Sequence, residues 1–125
     1  MAKLLSEILE NTSSDDLNIL LSHVSELSFN ALPDSLKDSD SYYYFTIKVV
    51  YRGKGKWGVV DRLGALDHNR ISSYEPQPSS RTKKYLKNHR FSLIEAVRIA
   101  EQAQHEVKCF NKTASEWAQH KEAME

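Results

Sequence analysis

Within the ten residues 81–90 the chain carries five permanent cations, Arg81, Lys83, Lys84, Lys87 and Arg90, together with His89. Ser79 and Ser80 stand just before them, and hydroxyls of this kind donate readily to phosphate oxygens. A second basic group, Arg52, Lys54 and Lys56, surrounds a glycine-bearing turn, with Tyr51 and Trp57 beside it. Guanidiniums and ammoniums in such numbers attract phosphates or carboxylates, and neighbouring aromatic rings offer stacking surfaces. The chemistry legible here is recognition of anions. Arg52, Lys54, Lys56, Trp57, Arg70, Tyr74, Ser79, Ser80, Arg81, Lys83, Lys84, Lys87 and Arg90 are the candidate binding residues.

Catalytic and metal chemistry find no comparable pattern. The histidines, His23, His68, His89, His105 and His120, are scattered. His105 and Cys109 lie four apart, which supplies two ligands and not a site. Asp67-His68-Asn69 reads as turn residues, and Ser79-Ser80 lack the strand–turn–helix frame of a serine nucleophile. Gly53 and Gly55 are spaced G-x-G, without the remainder of a dinucleotide or Walker motif. We therefore expect no enzyme activity, no metal and no cofactor. The lone Cys109, next to Phe110, reads as a small buried hydrophobe.

Composition bounds the setting. The 125 residues have zero net charge, with 40% hydrophobic and 27% charged side chains. Length and composition fit one globular domain spanning 1–125. No run of about 20 apolar residues is present, and the N-terminus reads as an amphipathic helix, not a secretory signal. A cytoplasmic protein with no membrane partner is the expectation. The zero hides a sorted distribution. Residues 1–46 hold two basic and eight acidic side chains, residues 47–92 eleven and three, residues 93–125 four and six. Segregation of this kind suits faces for different partners, or mutual neutralisation inside the fold.

The elements that must position these groups follow from periodicity. A helix over 3–10 and a second one after Ser13-Ser14 form a helical N-terminal segment, residues 1–32. Leu17, Leu20, Leu21, Val24 and Leu27 make the apolar stripe of the second helix. A polar connector, 33–41, leads to YYYFTIKVVY, residues 42–51, the strongest strand signal in the chain. In that strand Tyr43, Phe45, Ile47 and Val49 face the core, and Tyr42 and Tyr44 the polar side. Residues 56–61 complete a hairpin, and 71–75 add a third strand, so 42–75 is a β-meander. Pro76-Gln77-Pro78 ends it. Residues 79–125 hold the basic loop, where Ser79-Ser80 cap a short turn, and then the C-terminal helices. Ser92 and Glu95 open a long helix over 93–107, and Trp117 anchors a last one. The fold expected is α+β: a three- to four-stranded antiparallel meander with N-terminal helices and one long C-terminal helix.

The stretch from Trp57 to about Ala100 reads W-G-V-V-D, then S-Y-E-P-Q-P-S-S-R, then R-F-S-L-I-E-A. It resembles small uncharacterised proteins of bacteriophages and mobile elements with a W…Y-E-P-x-P-S-x-R…R-F-x-x-x-E-A pattern. Tyr74, Glu75, Pro76, Pro78, Ser79, Ser80, Arg81, Arg90 and Phe91 are the matching positions. The resemblance supplies no activity. It implies a non-enzymatic inhibitor or adaptor of the anti-defence or anti-CRISPR type, docking on a host protein or protein–nucleic-acid complex. Two alternatives stay open. One is a nucleotide- or phosphate-sequestering module, with Arg70, Ser79, Ser80, Arg81, Lys84 and Arg90 as donors and Tyr74 or Trp57 as stacking platform. The other is a direct nucleic-acid-binding domain. Self-association through the tyrosine strand or the 17–27 stripe is open too.

Overall fold

Apolar alternation places the sheet, and one amphipathic helix covers it. The computed structural model describes residues 4–109 and 111–124, the side chains of 122–124 excepted. Helices α1 (Leu5–Glu10) and α2 (Ser14–His23) open the chain. Lys3, expected to begin the first helix, lies outside the described residues. Strands β1 (Glu26–Phe29), β2 (Ile47–Gly53), β3 (Lys56–Val60), β4 (Ala65–Leu66) and β5 (Ser72–Ser73) then form an antiparallel meander in the order 1-2-3-4-5. Helices α3 (Lys83–His89), α4 (Leu93–Glu106) and α5 (Ala114–Met124) complete an α+β architecture. No helix among the described residues is long and apolar enough to cross a membrane.

One sheet face is core. Ile47, Val49, Trp57, Val59 and Leu66 pack against Leu93, Ala96, Val97, Ile99, Ala100 and Ala103 of α4, and Leu9 of α1 closes the cluster. Small residues on α4 let the helix approach closely, while β-branched strand residues fill the pleat. A second cluster, Leu32, Phe45, Cys109 and Ala114, sits under the 30–45 connector and α5. Trp117 packs on it, and Val107 touches both clusters. Cys109 is buried there, in a bridge with Lys112 across a reversal at Asn111, where φ is +63°. Phe110 lies outside the described residues.

Several expectations are corrected. The tyrosine run is not strand: Asp40–Phe45 is 3-10 helical, and β2 begins at Ile47. Its backbone is satisfied locally, since Asn30 Nδ2 donates to the Tyr42 carbonyl (2.8 Å) and the Thr46 N–H donates to the Tyr43 carbonyl (3.3 Å). Tyr43, expected in the core, is 63% exposed. The 17–27 stripe breaks at His23, and Leu27 belongs to β1, an extra strand paired with β2 through Leu27↔Val49 and Phe29↔Ile47. With β4, the strands number five among the described residues, and β5 is shorter than the expected 71–75. Finally, Thr82, not Ser79-Ser80, caps the basic helix, accepting from Tyr85 N–H at 3.1 Å.

Candidate anion-binding groove

The β2–β3 turn and α3 are brought together by a backbone bridge. Phe91, just past α3, exchanges two hydrogen bonds with Trp57 at the start of β3, both 2.8 Å. The turn itself runs through three successive left-handed residues, Gly53, Lys54 and Gly55, at φ +95°, +54° and +73°. Two of the three are glycines, which adopt such angles without a Cβ penalty. Tyr51 Oη accepts the Gly55 N–H at 3.0 Å and fixes the turn from below.

Between turn and helix lies an open groove of about 710 Å³, lined by Arg52, Gly53, Lys54, Lys56, Lys83, Leu86, Lys87 and Arg90. Six of these are cations and none is an acid. Among the described residues Lys54, Lys56, Lys83 and Lys87 form no ion pair. Leu86 is an exposed apolar side chain among them.

The arginines are held differently. Glu75 gathers three of them: Arg52 Nη2 at 2.7 Å, Arg90 Nη2 at 3.0 Å and Arg81 Nη2 at 3.8 Å. Arg81 also donates Nε–H to the Pro76 carbonyl, and Arg90 donates Nη1–H to the carbonyl of His89, both at 2.8 Å. The knot lies on the sheet face away from α4, over Gly58. A Cβ there would lie 3.4 Å from both Arg52 Cγ and Arg90 Nη1, in ordinary van der Waals contact, so the two arginine arms pass directly over the glycine. Burial pushes the Glu75 carboxyl up. The charge of Arg52, the hydrogen bond and charge of Arg90 and the charge of Arg81 together outweigh it, and the carboxyl is held below its usual range. One negative charge against three positive ones leaves this knot a net cation at the inner end of the groove. Tyr85 stacks on His89 at 4.2 Å beside the knot. Burial first, then the negative Glu75, pushes its phenol up. His89 Nδ1 faces the Tyr85 carbonyl at 2.9 Å, so that nitrogen donates, and Nε2 shares a hydrogen bond with Ser73 Oγ at 3.3 Å. The contact ties the end of α3 to β5.

The candidate residues therefore divide. Arg52, Lys54, Lys56, Lys83, Lys87 and Arg90 converge on one groove. Trp57 does not: at 2% exposure it is core, because β3 turns its ring toward α4. Buried there, the ring has no free face for a ligand to stack on. Arg70 sits elsewhere, its Nε–H shared between the two Glu106 oxygens at 2.9 and 2.8 Å, and that hydrogen bond raises its pKa. Tyr74, 76% exposed, borders a separate hollow with Arg62 and Leu63. Ser79 and Ser80 lie in a short 3-10 turn, and with Lys84 they do not line the groove. Glu75 and Leu86 are not among the residues the sequence singles out as donors or contacts. Glu75 had a signal, being the single acid between Asp67 and Glu95. No cluster of three or more His, Cys, Asp or Glu suited to a metal occurs among the described residues.

Compared with known proteins, the chain matches no family model, and neither the curated proteins nor the solved structures returned a match.

Proposed function

We propose that the chain is a non-enzymatic binding protein of the inhibitor or adaptor kind found in phages and mobile elements, and that its lysine groove docks on an acidic surface of a partner protein. One observation carries this: six cations and no acid line a single groove, and its four lysines lack intrachain carboxylates among the described residues. Cations gathered on one surface without nearby acids repel one another and raise the local concentration of anionic partners. An acidic protein segment is favoured over a nucleotide because no aromatic ring lines the groove to stack on a base. Leu86 and the lysine stems add an apolar footing that suits a carboxylate-rich segment bearing an occasional leucine.

The test uses a glutamate-rich peptide containing leucine, and a single-stranded oligothymidylate of equal charge. We expect the peptide to bind, with affinity falling between about 50 mM and about 200 mM salt. The double variant Lys83→Glu/Lys87→Glu should lose at least about tenfold in affinity. Unchanged binding by that variant, or no binding by the wild type, overturns the groove. Binding of the oligonucleotide alone overturns the protein partner in favour of a nucleic-acid backbone.

A further inference from the structure

A second concavity, of about 410 Å³, lies away from the groove. Its floor is three side chains in register across β1, β2 and β3, Ser28, Lys48 and Val60. They occupy the sheet face opposite the core residues Ile47, Val49 and Val59. Its wall is the 3-10 segment that the sequence reads as strand, with Tyr42 and Tyr43, and Thr46 just after it; Asp61 and Arg62 also line it.

The polar groups sort into committed and free. Asp61 Oδ1 accepts from the N–H groups of Leu63 and Gly64 and from Ser72 Oγ, at 2.8, 3.0 and 3.0 Å, so its charge is spent on its own turn. Thr46 Oγ1 accepts from Asn30 Nδ2 at 3.0 Å and donates to the Tyr42 carbonyl at 2.9 Å. Lys48 has only a long exposed contact with Glu26, 3.8 Å. Arg62 forms no ion pair among the described residues and lies over the Tyr44 ring at 5.1 Å. What remains is a slot with tyrosine rings on one side, Val60 and the loosely paired Lys48 beneath, and Arg62 at its edge.

The geometry points to a small-molecule site for a planar ring bearing one anionic group. The ring lies against Tyr43 and Val60, and the anion meets Lys48 and Arg62. The volume is that of an ordinary ligand pocket, and the tyrosine rings with Val60 supply its apolar surface. The lining, Lys48 and Arg62 against Asp61, has a net charge of +1, which favours an anionic ligand. A nucleoside monophosphate and an aromatic carboxylate share this chemistry, and probes separate them.

Four probes are titrated by saturation-transfer NMR and thermal shift: adenosine monophosphate, adenosine, salicylate and inorganic phosphate. At least one ring-plus-anion probe should bind about tenfold more tightly than adenosine or phosphate alone. Salicylate binding assigns the site to aromatic acids, and adenosine monophosphate binding alone assigns it to nucleotides. Arg62→Ala/Lys48→Ala should lose about tenfold in affinity. Tyr43→Ser, at an exposed position that leaves folding intact, should also weaken binding. The inference fails if neither ring-plus-anion probe binds, if adenosine binds as well as its monophosphate, or if both variants bind unchanged. Loss of binding in Lys83→Glu/Lys87→Glu would place the response in the lysine groove and also overturns it.

Discussion

Glu75 is the residue on which the cationic surface depends. A carboxylate with a side chain 16% exposed holds Arg52, Arg81 and Arg90 in one place. Those three come from β2, from the loop before α3 and from the residue after it, so one side chain pins both walls of the groove. Removing its charge leaves three guanidiniums facing each other at the edge of water. Loss of one partner from a fully buried pair costs about 3–5 kcal/mol; with solvent at this rim about 1–3 kcal/mol is expected for Glu75→Gln in urea unfolding. The pH dependence has a definite sign. The folded pKa is depressed, so the stabilisation is complete above the unfolded value of about 4.3 and is lost as pH falls through the lower folded value. Wild type should therefore lose stability steeply below about pH 4.5, and Glu75→Gln less steeply. Asp34 and Glu116 are shifted the same way, by Lys37 and by Thr113 respectively. They are common to both proteins, so the difference between the two curves isolates Glu75.

At the scale of the element, α4 is the piece that makes the sheet a core. It begins at Ser92, whose Oγ accepts the Glu95 N–H at 3.2 Å and donates to Glu95 Oε1 at 3.0 Å. The carboxylate here takes the cap hydroxyl, a variation on the usual reciprocal pair, and it also lies where the helix dipole favours an acid. Ser92→Ala should cost about 1 kcal/mol, seen as a lower urea midpoint with unchanged slope. α3 is the opposite kind of element. It is seven residues long with no buried residue, and is held by the Thr82 cap, the Arg90–Glu75 pair and the Phe91–Trp57 bridge. Such a helix is positioned by its ends, and it can spare its exposed face for contact.

Across the whole molecule no ion pair among the described residues joins the acids of the first third of the chain to the groove lysines. Among the described residues, Glu10 pairs with Arg98 on α4 and Glu26 with Lys48, while Asp15 and Asp16 face α2's own N-terminus. The lysine groove thus repels itself. Neutralising it with Lys54→Gln, Lys56→Gln, Lys83→Gln and Lys87→Gln together should leave thermal stability unchanged or raise it by about 1 kcal/mol at low salt, with the gain shrinking as salt is added. A clear loss of stability would mean the lysines serve the fold, and the docking proposal would lose its premise.

Sequence alone determined the elements whose pattern is local. The amphipathic period of α4, the glycine-bearing β2–β3 hairpin, and the basic and acidic blocks were all legible, because helix faces, turn angles and net charge depend on near neighbours. It could not place 42–45, where aromatic residues suit a strand as well as they suit a 3-10 segment packed on Leu32 and Ala114. Nor could it see β1, a four-residue strand whose Leu27 also continues a helical stripe. Trp57 shows the same limit: its position in a hairpin was readable, the face its ring took was not. Only the tertiary structure decided which cations are spent and which are available, since Glu75 meets Arg52 from 23 residues away. Coulomb energy depends on distance in space, and sequence separation does not report it.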